Sequence, residues 1–438
     1  MQKIKAQILI VMFVLFLLPA SILYAQEARK ITIAEAIELS IKNSKLLQLS
    51  KAKISEAVAA TREAKERRQP DASVSGSYLR LNNANVKMAG SDTGGKSPLS
   101  INQAIYGTAT ISYPVFSGYK IKYGIEAAQF LEKAATLDAE KDRQDVILNT
   151  TAAYVNLYKA TVTAKLMEEN IVQSKQRDLQ FAGFERNGLM ARNDILKSQL
   201  QTSQIELGLL DAQNAVQLAQ VSMNLLLGLP ESPQLVLDTA FLLEPIQVKT
   251  IKEYEQMAAQ NSYDVKALNS RKKAAEAGIK IARGDYYPNV GIGGGYMAGY
   301  IPNLVTITNA FNVSVGVKYS LSSLWKTAAK VQQAKEREQQ LEASEGMLLD
   351  DIRLGINKAC HDYLFWLKKL EVLNKDVEQS AENYRISKNK YNNNLLTLTD
   401  LLEADIAQLR SKLNLATAKA DVYVAYQTLL QKAGLLNQ

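Results

Sequence analysis

Two hydrophobic patterns alternate along the chain, and each predicts a different element. Apolar and polar residues alternate strictly over residues 311–321, which is the period of a β-strand with one apolar face. The same alternation occurs over 108–115, and over 290–300 the second face is largely glycine. The sequence therefore predicts two strand regions, at about residues 71–116 and about 286–321.

Long proline-free stretches predict helices. No proline occurs between Pro114 and Pro230 or after Pro302, and both stretches are rich in Ala, Leu, Gln, Lys and Glu, which favour helix. We expect one unbroken helix over residues 120–185 and another over 326–391. A helix of this length would extend about 100 Å, which is more than a globular domain needs.

A short turn is predicted after each long helix. Residues 187 and 188 (Asn-Gly) and residues 393 and 394 (Asn-Asn) tolerate the left-handed backbone that a reversal requires. Long helical hairpins are thus expected at about 120–228 and about 326–434. Apolar residues on the returning helices are spaced by three and four, which predicts a coiled-coil seam. The seam positions are Leu196, Leu200, Ser203, Leu207 and Leu210 in the first hairpin, and Leu402, Ile406, Leu409, Leu413, Ala416, Ala420 and Tyr423 in the second.

An internal repeat explains this order of elements. Residues of the first half match residues of the second half at one constant spacing before the strands and at another after them. The matches include Thr32 with Thr250, Glu35 with Glu253, Pro70 with Pro288, Tyr113 with Tyr319, Asp194 with Asp400, and Gly228 with Gly434. We predict a first repeat at 26–230, a linker at 231–249 and a second repeat at 250–438.

Each predicted repeat begins with a capping box, formed by Thr32 with Glu35 or by Thr250 with Glu253. A single helix is expected to follow and to end before the next proline.

Residues 1–25 have the features of an export signal. Lys3 and Lys5 precede an apolar run over residues 8–18, and Ala25 offers a cleavage site. The run is shorter than the roughly 20 residues that span a bilayer, although an uncleaved anchor extending to Ala25 is the alternative. Because no cysteine follows the cleavage site, we expect no lipoprotein.

The composition excludes several classes of chemistry. With Cys360 and His361 as the only cysteine and histidine, the chain has no internal disulfide, no Cys/His zinc site and almost no route to a Ser/His or Cys/His mechanism. The net charge of +8 is spread thinly, without the basic clusters of nucleic-acid binders. We therefore expect no enzyme, no cofactor and no nucleic-acid partner, and we expect Cys360 and His361 to have only a surface or seam role.

The strands leave two alternatives open, a half-buried soluble sheet and strands in a membrane. Eleven alternating residues over 311–321 match the length of a membrane strand, about 9–11 residues. Two strands per repeat cannot close a barrel alone, and open edges in lipid are forbidden. Three chains would supply twelve strands, an acceptable closed number.

Over nearly all of its mature length, the chain resembles the outer membrane efflux proteins of the TolC type. The resemblance is carried by residues 31–41, by residues 111–118 (ISYPVFSG), and by the hairpin turns with Phe184, Gly188, Asp194 and Leu196, and with Tyr391, Asn394, Asp400, Leu402, Glu403 and Ala404.

The resemblance implies a mainly α fold with membrane β-structure. Three chains would form a twelve-stranded β-barrel in the bacterial outer membrane, continued by a long α-helical coiled-coil barrel into the periplasm. The linker at 231–249 would lie in an equatorial belt. The assembly would be a passive duct in tripartite efflux or type I secretion, embedded in outer-membrane lipid and opened by a periplasmic adaptor and an inner-membrane pump of the RND, ABC or MFS type.

The same resemblance implies a periplasmic gate. Asp400 and Glu403 match the family's acidic constriction, where repeated carboxylates favour cations and could bind a metal ion that plugs the pore. The alternative for Asp400 is simple stabilisation of a helix start. Tyr391 and Asp194 match a pair that holds the gate shut, and Asn193 lies at a matching polar position. Leu396 replaces an arginine that commonly assists, which implies a leakier or differently fastened closed state.

Apolar residues at the turns are predicted to dock the adaptor. These residues are Leu189, Met190, Leu395 and Leu396, held by the turn residues Gly188 and Asn394. Local turn packing is the alternative. Two rival functions remain, a periplasmic coiled-coil scaffold or adaptor without a membrane barrel, and a hydrolase with a carboxylate pair.

Overall fold

The computed structural model describes residues 29–86, 99–230, 234–242, 249–302 and 304–436, and it is mostly helical. The predicted export signal lies outside these ranges, and so do residues 231–233 and 243–248 of the predicted linker. The helices are α1 (Ile33–Asn43), α2 (Lys45–Glu66), α3 (Lys120–Arg186), α4 (Arg192–Leu227), α5 (Ile251–Asn261), α6 (Tyr263–Arg283), α7 (Ser323–Asn392) and α8 (Leu398–Lys432). The strands are β1 (Arg29–Ile31), β2 (Asp71–Val86), β3 (Leu99–Ser117), β4 (Leu235–Leu237), β5 (Asn289–Ile301) and β6 (Val305–Lys318).

The order helix, helix, strand, strand, long helix, returning helix occurs twice in this list. The two long helices, α3 and α7, have 67 and 70 residues. Among the helices of the described ranges, none contains an apolar run that could cross a membrane.

The expectation of one helix before each strand pair is wrong. The helix breaks at Ser44 and at Ser262, where the backbone turns extended, with ψ of 120° and 124°. The Ser262 hydroxyl accepts a hydrogen bond from the Val265 amide at 3.5 Å, and so it begins α6 as a helix cap. Serine favours such a restart because its side chain replaces a missing backbone partner.

The predicted capping box is complete at the start of α5, and its threonine half occurs at the start of α1. Thr250 and Glu253 form the complete box, with the Glu253 carboxylate accepting from the Thr250 amide at 2.8 Å. At α1 the Thr32 hydroxyl accepts from the Glu35 amide at 3.2 Å.

Four strands form an antiparallel sheet in the order β2-β3-β5-β6. One face is polar, with hydroxyl pairs between Ser73 and Thr110 at 2.9 Å and between Ser75 and Thr108 at 2.8 Å. The opposite face is apolar and open, because Val74 is 85% exposed and Val313 is 92% exposed.

The chain divides into two compact units. The first comprises residues 1–44, 147–246 and 365–424, and the second comprises residues 45–146, 247–364 and 425–438. The core of the first unit surrounds Tyr154, whose hydroxyl lies 2.9 Å from the carbonyl oxygens of both Ile31 and Asp238. The core of the second unit includes Tyr254, Ile356 and Cys360. Cys360 therefore has a packing role, while His361 is exposed.

The seam predicted for the first hairpin is wrong within a single chain, because its leucines face away from the buried side of α4. On α4 the predicted leucines are exposed, and Leu200, Leu207 and Leu210 are among them. The buried positions of this helix are instead Ile195, Ser198, Gln201, Thr202, Ile205, Ala212, Met223, Asn224 and Leu227. On α8 of the same unit the prediction is closer, because the predicted Leu402 and Ala420 are buried, although Ile406 is exposed. The buried face of α4 mixes large apolar residues with small and polar ones, and it leaves a stripe of leucines exposed.

Candidate functional site at the hairpin turns

Both hairpins of the first unit end in the same backbone motif. Gly188 and Asn394 adopt left-handed conformations, with φ of 72° and 59°. The Leu189 amide donates to the Phe184 carbonyl, and the Leu395 amide to the Lys390 carbonyl, both at 2.8 Å. This six-to-one bond closes a Schellman turn, for which glycine and asparagine are suited because they tolerate positive φ.

Asp400 is the third residue of α8 and belongs to its cap. The Thr397 hydroxyl donates to the Asp400 carboxylate at 2.6 Å, and the Asp400 amide donates to the Thr397 hydroxyl at 3.3 Å. Asp400 therefore stabilises the start of its own helix, which is the alternative that the sequence left open. Glu403 lies three residues later on the same helix face, is exposed, and makes no ion pair within the described ranges.

Asp194 is the third residue of α4. The N-cap residue of this helix is Ala191, whose side chain forms no hydrogen bond with the first turn. Its carboxylate contacts the Lys197 ammonium at 3.3 Å. Burial, together with the negative charge of Asp194, raises the pKa of the Tyr391 hydroxyl. Tyr391 and Asp194 come from different hairpins, and they lie near enough for the charge of Asp194 to act on the Tyr391 hydroxyl, while Asn193 is exposed.

An apolar cluster fixes Tyr391 behind the turns. Its ring centroid lies 5.9 Å from that of Phe181. The buried members of the cluster are Phe181, Ile195, Leu398, Leu401 and Leu402, and Met190, Tyr384 and Tyr391 pack against them.

Of the four residues expected at a docking surface, two are strongly exposed. Leu189 is 76% exposed and Leu395 is 74% exposed. Met190 and Leu396 are half-buried, because Met190 packs on the apolar cluster and Leu396 lies between Leu395 and the start of α8.

A buried ion pair lies next to the apolar cluster, and sequence reasoning missed it. The Arg177 guanidinium contacts the Asp405 carboxylate at 2.5 Å, with side chains only 12% and 5% exposed. Arg177 also donates to Ser174 at 3.3 Å and to Ser198 at 3.4 Å. Burial raises the pKa of the neighbouring Tyr384, and the Asp405 charge adds to this effect.

Ser198 connects this ion pair to a second acid. The Ser198 hydroxyl donates to Asp178, and the Thr202 hydroxyl donates to Asp178 at 2.7 Å. The network therefore joins α3, α4 and α8 by polar contacts in a buried position. No local sequence pattern links Arg177 with Asp405, which lie 228 positions apart along the chain.

Within the part of the chain that the structure describes, no group of three or more His, Cys, Asp and Glu side chains could hold a metal ion. Asp400 and Glu403 supply two carboxylates per chain, so a cation site at this level needs ligands from further copies.

Comparison with known proteins gives the family. The sequence profile of the outer membrane efflux proteins matches residues 36–229 and 255–435, which is most of the chain. The outer membrane efflux protein BepC of Brucella suis biovar 1 (strain 1330) is 23% identical over 431 residues, covering 95% of this chain and 88% of BepC.

Solved structures agree on the fold. The outer membrane protein VceC of Vibrio cholerae superposes with a TM-score of 0.75 at 16% identity, covering 92% of this chain and 96% of VceC. The CmeC outer membrane channel of Campylobacter jejuni gives a TM-score of 0.76 at 15% identity, covering 92% and 86%. Proteins of the matched family are channels and not enzymes. The chain therefore belongs to the outer membrane efflux protein family and is an outer-membrane channel component of an efflux system.

Proposed function

We propose that three copies of this chain form one continuous duct through the outer membrane and into the periplasm. The observation that carries the proposal is the four-stranded sheet, which has an exposed apolar face and two outer strands, β2 and β6, each paired on one side within the described ranges. Unpaired strand edges cannot stand in lipid, so identical neighbours are the simplest partners that complete the wall. Twelve strands would then surround the pore.

The exposed leucine stripe of α4 supports the same assembly. Leu200, Leu207 and Leu210 are 65%, 64% and 61% exposed, and they follow the spacing of three and four that a partner helix needs. Burying one such leucine contributes about 1.5–3 kcal/mol. A neighbouring copy in a helical barrel would cover this stripe.

Two fused repeats suit this architecture. In the first unit Gly228, with φ of 67°, ends α4 where its missing side chain leaves room for Asn43. In the second unit Gly434, with φ of 71°, ends α8 against Asn261 in the same way. The same glycine and asparagine pairing in both halves supports duplication of one ancestral unit.

The gate of the duct would lie at the hairpin turns. Asp400 and Glu403 from three chains would form rings of carboxylates that favour cations and could bind a metal ion in the pore. Tyr391 and Asp194 would fasten neighbouring hairpins. Because Leu396 cannot form the ion pair of an arginine, the closed state would be held less firmly.

Docking to a periplasmic adaptor would use Leu189 and Leu395, which are the most exposed apolar side chains at the two turns. The adaptor would link the duct to an inner-membrane pump of the RND, ABC or MFS type, in efflux or in type I secretion. The pump would supply the energy and select the cargo. An exported chain whose single cysteine is Cys360 would carry no lipid anchor at its N-terminus.

Membrane fractionation separates this proposal from a periplasmic scaffold. An integral channel should stay in the outer-membrane fraction after a sodium carbonate wash, whereas a scaffold should be released. Complete release would overturn the proposal.

The gate is tested by conductance of the full-length protein in a planar lipid bilayer. We expect Tyr391→Phe and Asp194→Ala to raise the current of the resting channel. Lys175→Gln, on the exposed side of α3, is a matched control and should leave the current unchanged. Wild-type currents from both gate variants would end the assignment.

A further inference from the structure

The junction of β3 with α3 is a tight turn in the second unit. Gly118 and Tyr119 both have positive φ, 62° and 64°. The backbone of Gly118 packs so closely on Gly284 that no Cβ atom would fit between them. This contact holds the end of β3 and the start of α3 against the end of α6.

Aromatic rings surround this junction. Tyr119 packs edge-on against Phe116 at 5.2 Å and against Tyr287 at 6.0 Å, measured between ring centroids. The apolar face of β3 ends here with Tyr113 and Val115, which are 41% and 54% exposed. Aromatic residues at the end of an apolar strand face are typical of the boundary between a membrane and water.

An open cavity of about 250 Å³ lies beside the rings. Its lining includes Arg68 from the end of α2, Lys122 from the first turn of α3, and Tyr113, Val115, Phe116 and Tyr119. The volume is below the range of about 300–1,000 Å³ that holds drug-sized ligands. A small polar group fits better than a large substrate.

Within the described residues the two cations of this cavity have no acidic partner, although the Lys122 ammonium lies 5.7 Å from the centroid of the Tyr123 ring. Glu63 pairs with Arg67 at 3.0 Å. Asp285 pairs with Lys120 at 3.0 Å and with Lys330 at 2.7 Å. Neither Arg68 nor Lys122 forms an ion pair with any residue in the described ranges. Among the described residues that line the cavity, Arg68 and Lys122 are the only charged side chains, so the cavity lining has an excess of positive charge.

We propose that this cavity, which we call the headgroup cavity, binds the phosphate headgroup of an anionic phospholipid. Arg68 would hold the phosphate oxygens through its planar guanidinium, and the Lys122 ammonium would add a second charge. The exposed apolar row that ends in Val115 would receive the acyl chains. A free phosphate would use the cations alone and leave that row uncovered, so the combination favours a lipid. The inference rests on the proposed function, since it requires the sheet to lie in the outer membrane.

Native mass spectrometry of the full-length protein in detergent, with added phosphatidylglycerol or phosphatidylethanolamine, tests the inference. We expect the wild type to retain phosphatidylglycerol preferentially. The double variant Arg68→Gln with Lys122→Gln should lose about 30-fold in affinity for phosphatidylglycerol, equivalent to about 2 kcal/mol. The control variant Lys51→Gln with Lys53→Gln removes two exposed charges from α2 and should bind like the wild type.

Three outcomes would overturn the inference. They are equal retention of both lipids by the wild type, unchanged affinity of the double variant, and loss of affinity by the control. Displacement of the lipid by inorganic phosphate at concentrations equal to those of phosphatidylglycerol would also overturn it, because the apolar row would then contribute nothing. The same spectra report the number of chains, so a trimer without bound lipid contradicts only the headgroup cavity, whereas a monomer contradicts the proposed function.

Discussion

The two hairpin turns share one backbone geometry but place their acidic residues in different environments. Gly188 and Asn394 close the same six-to-one turn, and the third residue of the next helix is an aspartate in both. At the second turn the Thr397 hydroxyl binds Asp400 at 2.6 Å. At the first turn Ala191 forms no such bond, and the charge of Asp194 instead contributes to the raised pKa of Tyr391.

This difference indicates how repeated elements acquire separate roles. A capped aspartate mainly stabilises its own helix, whereas an uncapped one remains available to another segment. The second turn is therefore stabilised mainly by its own residues. The first turn depends more on contacts made with the second hairpin.

The buried ion pair of Arg177 with Asp405 joins α3 to α8 behind the turns, so its removal should have the largest effect. Arg177→Met would leave the Asp405 carboxylate buried without a cationic partner, and we expect a loss of about 3–5 kcal/mol in the local free energy of opening. Amide hydrogen exchange of residues 195–205 and 401–411 measures this loss.

The pair Arg177→Met with Asp405→Leu removes both charges and should recover much of that stability. The exposed pair of Arg385 with Glu382 is the matched control, and Arg385→Met should leave amide exchange nearly unchanged. Equal effects of Arg177→Met and Arg385→Met would show that the buried network does not support the turns.

Substitution of the left-handed residue should affect the stability of the two turns differently. Gly188→Ala places a Cβ atom in a left-handed position and should destabilise the first turn by about 1–2 kcal/mol. No atom lies within 4 Å of that Cβ, so the cost is one of backbone conformation alone. Asn394→Gly should be neutral or slightly stabilising. Exchange rates of the amides of residues 186–190 and 392–396 compare the two, and an unchanged first turn in Gly188→Ala would contradict the shared geometry.

Removing the cap of α8 and adding one to α4 should make the two turns more alike in stability. Thr397→Ala removes the cap of α8 and should destabilise its first turn by about 1 kcal/mol, while Ala191→Ser should stabilise the first turn of α4 by a smaller amount. The hydroxyl introduced by Ala191→Ser should also donate a hydrogen bond to Asp194, which would weaken the effect of the Asp194 charge on the pKa of Tyr391. The measurement is again amide exchange, at residues 398–401 and 192–195. If Thr397→Ala leaves exchange unchanged, Asp400 does not depend on its cap.

Much of the fold could be predicted from the sequence because local signals specify it. Proline-free stretches predicted α3 and α7, alternation predicted β6, and Gly188 and Asn394 predicted the turns. The break at Ser262 was missed, since a serine inside a helical pattern is compatible with both a continuous helix and a new cap.

Contacts that are distant in sequence were harder to predict. Two neighbouring apolar stripes on α4 have the same period, so the sequence could not decide which one faces its own chain and which remains open. Arg177 and Asp405 carry no local pattern that links them. The candidate gate residues could be located on the helices by their spacing, but the capping of Asp400 by Thr397 depends on where α8 begins.

The central claim is that the chain cannot cover its own apolar strands and must assemble with identical partners. The mass of the full-length protein extracted from the outer membrane in mild detergent tests this claim most directly. The account predicts an assembly of three chains that needs detergent to stay in solution. A stable monomer in plain buffer would contradict it.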